Sequence, residues 1–369
     1  MGKRILAICC TPYQLLVAAQ VLACYYPGEE ADLILSDQMS GARKLWEQAQ
    51  DIWPYGQVYY LEERRLNRLA HKENAKNILL GAVAPEKLLE RFLHLEGSYD
   101  VFLFSNISLM NQYLILALKR RNPRLQWLLF EDGATTYSQQ VGGLVQSTSP
   151  KVRVQLHQVQ KLQGMYLFHP ETLDWKPGRP VHKLPQAYAP ATLELLNRLF
   201  RYDKLGDRYD FPVVFFEESY PCDGVDIGDV ALLDRVAKRV GKENVLVKTH
   251  PRNQVNRFAL AGYRTNQDTS VPWELVALNH SFAGTVFLTV GSSAATNPWC
   301  VLGIPAKAVF LWELVEEPSK LRWDVLEQTK RLCQANPELF FCPKTWEECE
   351  RLLSRLVVEQ AAPGAAMAY

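Results

Sequence analysis

Residues 245–252 read Val245-Leu246-Val247-Lys248-Thr249-His250-Pro251-Arg252. A short apolar run closed by proline is the pattern of a buried strand, and the residue before a proline is held out of helical geometry. His250 therefore falls at the carboxyl end of a strand, the edge at which open α/β sheets bind ligands. An imidazole there can take or give a proton near neutral pH. A strand-end histidine serves equally well as a hydrogen-bonded structural residue, and this stretch alone does not separate the two. The segments on either side of it decide what kind of sheet the strand belongs to.

Working outward, the second half alternates strand and helix. Pro212–Phe216 reads as a strand, Asp229–Val240 as a helix and Asn244–Lys248 as the strand just described. A helix over Trp273–Leu278, a strand over Val286–Val290, a helix over Ala294–Val301 and a strand over Ala306–Leu311 follow, and Trp346–Val358 is a last amphipathic helix before a frayed tail, Ala361–Tyr369. The first half carries the same rhythm. Ile5–Cys10 is an apolar strand, after which Thr11-Pro12-Tyr13-Gln14 opens a helix with threonine as N-cap, proline in the first turn and glutamine three residues past the cap. That helix is expected to run to about Tyr26. Strands follow at Ala31–Leu35, Gln57–Leu61, Tyr99–Phe104 and Leu125–Phe130, with a helix over Ile107–Arg121. Strands separated by helices predict parallel, doubly wound sheets. The expected architecture is α/β, two Rossmann-like domains facing a central cleft. Residues 1–185 form the first, 186–210 the connecting region, 211–345 the second, and 346–369 a C-terminal helix and tail.

The bulk properties agree with two ordinary cores. The chain has 369 residues, of which 48% are hydrophobic and 22% charged, with a formal net charge of +1. That balance argues against a nucleic-acid binder that works by bulk electrostatics. Lys119-Arg120-Arg121 sits where a helix ends and cations suit the dipole. The eight cysteines have no Cys-x-x-Cys spacing, which fits neither a zinc site nor a disulfide scaffold and points to a reducing cytoplasm. No segment approaches the length of an uncharged membrane span.

Four segments can carry chemistry. Glu131-Asp132-Gly133 places two adjacent carboxylates at a strand end, with the glycine allowing a turn. Alternation sends the two side chains apart, and a carboxylate there either takes a proton from a hydroxyl or merely builds the turn. Gly291-Ser292-Ser293 lies between a strand and a helix, where amides and hydroxyls can cradle an anion, or where serine simply caps the helix. Glu274, in the first turn of its helix, can hold ribose hydroxyls or answer the helix dipole. Phe215-Phe216-Glu217-Glu218 and then Pro221-Cys222-Asp223-Gly224 bring further acids to a strand end, so Glu217, Glu218 and Asp223 are rival bases, or plain loop acids. The chain lacks Gly-x-x-x-x-Gly-Lys, and lacks Gly-x-Gly-x-x-Gly after the first strand, so nucleoside triphosphate and dinucleotide readings are weak.

Taken in order, these motifs resemble the bacterial sialyltransferases of glycosyltransferase family 52 and, more distantly, other bacterial sialyltransferases of GT-B fold. The order is Thr11-Pro12-Tyr13-Gln14, Glu131-Asp132-Gly133, an acidic loop around Asp223, His250-Pro251, Glu274, then Ser292-Ser293. The resemblance spans residues 4–311. It implies inverting, metal-independent transfer of sialic acid from CMP-sialic acid to a hydroxyl, galactose foremost, of a bacterial surface glycan such as lipooligosaccharide or capsule. His250 would protonate or hydrogen-bond the departing phosphate, Ser292 and Ser293 would hold it, and Glu274 would hold the ribose. Lys248, Pro251, Arg252 and Gly291 would complete the donor side, and Thr11, Gln14, Glu131 and Gly133 the acceptor side. The general base stays open. Related families point to Asp132, family 52 to Asp223 or Glu218, and the loop Glu217-Glu218-Ser219-Tyr220-Pro221-Cys222-Asp223 departs from the family there.

The resemblance implies no metal and no resident cofactor, CMP-sialic acid being the donor substrate, and the lack of an Asp-x-Asp motif fits that. Stabilising the charge that develops on the leaving phosphate is the main task such chemistry sets. Two alternatives stand beside this reading: a transferase of the same fold using another nucleotide sugar, glucosyl transfer among them, and a non-catalytic nucleotide- or glycan-binding protein. The expected partners are a nucleotide sugar and a glycan acceptor, with lipid linkage of that acceptor, peripheral contact at the inner face of the membrane and a homodimer left open.

Overall fold

In a computed structural model the described residues are 2–66, 83–133, 135–137, 162–173, 175–202, 209–267 and 270–358. The chain divides into two compact units, Met1–Tyr202 with Ser270–Pro272, and Asp203–Thr269 with Trp273–Tyr369. Within 186–210, expected to connect the domains, a helix forms over Pro190–Leu199 and belongs to the first unit. The tail expected beyond Val358 lies outside the described residues.

The first unit is built on seven parallel strands: β1 Arg4–Cys9, β2 Glu30–Ser36, β3 Val58–Leu61, β4 Val101–Phe104, β5 Gln126–Phe130, β6 Gly164–Leu167 and β7 Val181–Lys183. Their order across the sheet is β3-β2-β1-β4-β5-β6-β7. The second unit has six: β8 Val213–Phe216, β9 Val245–Lys248, β10 Arg264–Asn266, β11 Val286–Thr289, β12 Lys307–Phe310 and β13 Phe340–Phe341. Their order is β10-β9-β8-β11-β12-β13, and every pairing in both sheets is parallel. Both sheets thus follow the doubly wound plan, reversing direction between β1 and β4 in one and between β8 and β11 in the other. At such a reversal the crossover helices leave on opposite faces and open a crevice at the carboxyl ends of the strands.

The burial follows from this plan. A parallel sheet covered by helices on both faces needs apolar side chains on both faces. Accordingly Val101–Phe104, Val213–Phe216, Val245–Lys248 and Val286–Thr289 are buried at every position. The first helix, Pro12–Tyr25, starts as its sequence predicts: the Gln14 amide donates to Thr11 Oγ1 at 3.1 Å. Its buried run, Gln14–Leu22, covers the sheet. In the second unit Trp273 packs edge-on against Phe216 and Phe287, at 4.8 and 5.6 Å between ring centres, and closes the core beneath β8 and β11.

One element differs from its sequence expectation in a way that matters for chemistry. The stretch expected to be a helix over Ala294–Val301 is a 3-10 turn, Ser293–Ala295, followed by a six-residue α-helix, Asn297–Leu302. Pro298 has no amide hydrogen to donate, so the α-helix begins around it rather than at the serine pair.

Candidate active site

In the second unit the carboxyl ends of β8, β9 and β11 carry one connected polar cluster. The register pairs Phe216 with Thr289 and with Lys248, so Glu217, Glu218, Gly291 and His250 all emerge just past the last paired residues. Glu217 and Glu218 are adjacent and do different things. Glu217 is buried; it accepts the backbone N–H of His250 at 2.9 Å and faces Arg257 at 3.3 Å. Arg257 also donates to Asp229 at 2.8 Å. Glu218 Oε1 accepts the Gly291 amide at 2.7 Å and the Thr289 hydroxyl at 3.2 Å, bridging the two strands at which the sheet reverses. Burial pushes the Glu218 carboxyl up to about 7, against the opposing pull of Gly291, Thr289 and Arg322.

His250 opens a turn with Pro251 at its second position, closed by donation from the Asn253 amide to the His250 carbonyl at 3.0 Å. The side chain of Asn253 donates to the Glu218 carbonyl at 2.8 Å. The Arg252 amide donates to His250 Nδ1 at 3.2 Å, which leaves the proton of a neutral ring on Nε2. Burial first, then the charges of Arg252, Lys248 and Arg322, hold the imidazole down at about 4, with Asp223 opposing. The ring is therefore neutral near pH 7 and sits in a positive field.

One cation the sequence reading did not single out is Arg322, which immediately precedes the helix Trp323–Ala335. It donates to Ser219 Oγ at 2.7 Å, its amide donates to the Tyr220 hydroxyl at 2.9 Å, and its guanidinium lies 4.5 Å from the Tyr220 ring centre. Nothing in its local sequence marks it, because its partners lie a hundred residues away. Asp223, at the end of the 3-10 turn Tyr220–Asp223, stands 3.7 Å from Arg322 and 3.8 Å from Arg252, with about half its side chain exposed.

Glu274 is buried and accepts from Asn297 at 2.7 Å; burial raises its pKa while Asn297 and Lys248 oppose the rise. Ser292 caps the 3-10 turn, its Oγ accepting the Ala294 amide at a long 3.4 Å, and its own amide donates to Thr289 Oγ1 at 3.1 Å. Ser293 is exposed at the start of that turn. The helix-dipole cradle expected at the serine pair is thus replaced by a single 3-10 turn. The positive field set by Lys248, Arg252 and Arg322 is the one at His250.

In the first unit Glu131 and Asp132 point to different partners, as alternation predicts. Glu131 is buried and fully engaged. It accepts from Tyr13 at 2.8 Å, from the Phe168 amide at 3.0 Å and from the Tyr137 hydroxyl. Asp132 is half-buried. It accepts from Gln14 Nε2 at 2.7 Å while its amide donates to Thr136 at 2.7 Å. Gln14 Oε1 in turn accepts the Cys10 amide at 2.6 Å, so this side chain is locked at both ends. Burial raises the Asp132 carboxyl above its ordinary range, Gln14 opposing. Gly133 takes φ +68°, a left-handed conformation that glycine adopts without strain, and thereby turns the chain away after the carboxylates.

Two reversed parallel sheets with polar clusters at their carboxyl edges define a GT-B-type α/β enzyme. Residues 5–282 match the alpha-2,8-polysialyltransferase (POLYST) family, and the chain belongs to that family. Fold and family together make it a glycosyltransferase of the sialyltransferase kind. Among solved structures, UDP-GlcNAc 2-epimerase of Methanocaldococcus jannaschii, in complex with UDP-GlcNAc and UDP, is similar at a TM-score of 0.53 and 10% identity, covering 97% of this chain and 93% of that one. That likeness is one of fold. A UDP-glucosyltransferase from Polygonum tinctorium aligns at a TM-score of 0.49 and 12% identity, over 96% of this chain and 90% of that one. No curated protein sequence matches. Among the described residues no helix is long and apolar enough to cross a membrane.

Proposed function

We propose that the protein moves sialic acid from CMP-sialic acid to a hydroxyl of a bacterial surface glycan, by inverting displacement and without a metal ion. The observation that carries this reading is the neutral His250 ring, with Nδ1 engaged by the Arg252 amide and Nε2 protonated, set among Lys248, Arg252 and Arg322. In the reaction the bond from the anomeric carbon to the phosphate oxygen breaks, and CMP leaves with the bonding pair. The three cations stabilise that charge, and His250 Nε2–H hydrogen-bonds it, as a leaving phosphate requires. Glu274 holds the ribose, and the Ser292 and Ser293 hydroxyls assist at the phosphate. The new bond forms from the acceptor hydroxyl oxygen to the opposite face of the anomeric carbon, and the hydroxyl proton passes to Asp132.

Asp132 suits that task better than its rivals. Its carboxylate is fixed by Gln14 and its pKa is raised, which makes it a stronger base than an exposed aspartate. Glu217 is committed to His250 and Arg257, Glu218 to Gly291 and Thr289, and Asp223 to two arginines. The kinship with family 52 is supported by motif order. The description of the matched family makes a sialic-acid-terminated glycan an acceptor to test beside a galactose-terminated one.

The test is release of CMP from CMP-sialic acid by the purified protein, with and without each acceptor. Acceptor-stimulated release is expected, together with thermal protection by CMP but not by UDP. Protection by UDP instead of CMP would move the donor to another nucleotide sugar, and protection without turnover on either acceptor would indicate a binding protein.

A further inference from the structure

At the β13 edge of the second sheet two thiols meet that the reaction described above does not use. Cys333 lies in the last turn of the helix Trp323–Ala335, and Cys342 directly follows β13. Asn336 builds the turn between them. Its amide and its side-chain nitrogen each donate to the Leu332 carbonyl at 3.0 Å and close the helix. Its own carbonyl accepts the amides of Leu339 at 3.1 Å and Phe340 at 2.9 Å. Trp299, in the helix Asn297–Leu302, donates from Nε1 to Asn336 Oδ1 at 3.2 Å and pins the turn from outside. β13 then pairs with β12, Phe340 beside Ala308 and Phe341 beside Val309. The chain doubles back in this way and brings the two sulfurs into hydrogen-bond contact.

Both residues line one cavity of about 460 Å³, together with Lys330, Lys344, Trp312 and Phe340. Their access differs: Cys333 is buried, whereas Cys342 is half-buried. The contact with Cys342 first, and burial second, push the Cys333 thiol well above its ordinary range. Cys333 therefore keeps its proton, and Cys342 is the sulfur that a dissolved oxidant reaches first. A reactive thiol with a second thiol already in contact is the arrangement that resolves to a disulfide instead of oxidising further.

We infer that Cys333 and Cys342 form a modification site, at which a hydroperoxide joins them in an intramolecular disulfide that small thiols reverse. Cys342 Sγ attacks hydrogen peroxide: an S–O bond forms, the O–O bond breaks and water leaves, giving a sulfenic acid. Cys333 Sγ then attacks that sulfur. The S–S bond forms, the S–O bond breaks, and the Cys333 proton departs with the hydroxyl as a second water. Each sulfur gives up one electron, and the peroxide oxygens take both. Leu326 of the same helix packs on Gly291, and Arg322 precedes the helix. The bond thus anchors the far end of the element that carries a donor-side cation.

The test treats the full chain with a small excess of hydrogen peroxide, alkylates the remaining thiols, and maps the digest by mass spectrometry. A Cys333–Cys342 cross-link is expected, removed by dithiothreitol, absent from Cys333→Ser and Cys342→Ser, and kept in Cys24→Ser, which alters an exposed thiol. The oxidised protein should unfold at a temperature about 2 °C or more above the reduced one, because the link restricts the unfolded chain. Three results overturn the inference. One is a link from either residue to Cys300, which acts on Cys333 by charge. Another is sulfinic or sulfonic acid at Cys342 without a link. The third is a link that lowers the unfolding temperature, since the sulfurs would then have to leave their native places to join. Mass and thermal unfolding are read without turnover, so the outcome is independent of the donor and acceptor proposed above.

Discussion

Glu217 Oε2 accepts the backbone N–H of His250 at 2.9 Å and so ties the end of β8 to the end of β9. The imidazole is positioned through its own main chain by a buried carboxylate, which Arg257 holds while also donating to Asp229. Removing one member of such a network leaves charge uncompensated. Glu217→Ala should cost about 3 kcal/mol in urea unfolding, whereas Glu217→Gln, which can still accept the His250 amide, should cost clearly less. Equal losses for the two variants would mean that the His250 contact contributes nothing beyond the ion pair.

The pH dependence of stability separates two groups that shift in opposite directions. His250 has a folded value of about 4 against an ordinary 6.5, so the unfolded chain binds more protons between those values. Its contribution is present above pH 6.5 and is lost as pH falls toward 4. Glu218 is raised from 4.5 to about 7, so its contribution is present below pH 4.5 and is lost as pH rises through 7. Between pH 4.5 and 6.5 the two slopes oppose one another. Urea midpoints across this range should therefore change little in wild type. They should fall with rising pH in His250→Ala and rise with it in Glu218→Gln, corresponding to a change in unfolding free energy of about 1–3 kcal/mol over the window.

A phosphate ligand should undo the depression of His250. Its dianion offsets the cations that keep the ring neutral, so CMP should move the imidazole titration upward by roughly one unit or more, as an opposite charge at close range does. Ring proton shifts of His250 in NMR, with and without CMP, check this. Arg322→Ala should raise the free-protein value by itself and weaken CMP binding.

Gly291 is closely approached by a leucine side chain. A Cβ there would come within 2.1 Å of Leu326 Cδ2, and Leu326 is itself buried. Gly291→Ala should lower stability by about 1–3 kcal/mol as an overpacked site does. The double variant with Leu326→Ala should lose less than the sum of the two single variants, as measured by thermal unfolding.

For the base, Asp132→Asn should reduce acceptor-dependent CMP release by roughly 10²–10⁴-fold while leaving CMP binding in place. Gln14→Ala should lower kcat more than it raises the donor KM, because it frees the carboxylate without removing it. Asp223→Asn should act mainly on the donor KM. A reversed ranking of Asp132 and Asp223 would transfer the base to the second unit.

The strand ends that carry these groups were readable because each follows a continuous apolar run closed by a turn residue. Cys10-Thr11, Glu131-Asp132, Glu217-Glu218, His250-Pro251 and Val290-Gly291 all announce themselves in that way. The short outer strands Val181–Lys183, Arg264–Asn266 and Phe340–Phe341 do not. They are two or three residues long, and pairing with a neighbour defines them more than any pattern of their own. The helix Trp323–Ala335 was missed, and with it the turn that places Arg322. The division of labour between Glu217 and Glu218 was equally hidden, because it depends on which strand end each side chain reaches and not on residue type.

Asp223 lies between Arg252 and Arg322 at 3.8 and 3.7 Å, so the protein carries an internal counter-ion where a nucleotide phosphate would dock. An incoming anion then exchanges with a carboxylate instead of meeting bare positive charge. The electrostatic gain is a difference between two anions, and only that difference is open to screening. Donor affinity should accordingly respond to ionic strength less steeply than three neighbouring cations would suggest. The same exchange would release Asp223 toward solvent each time a donor arrives and recapture it each time a product departs, giving every turnover its own built-in step of product expulsion.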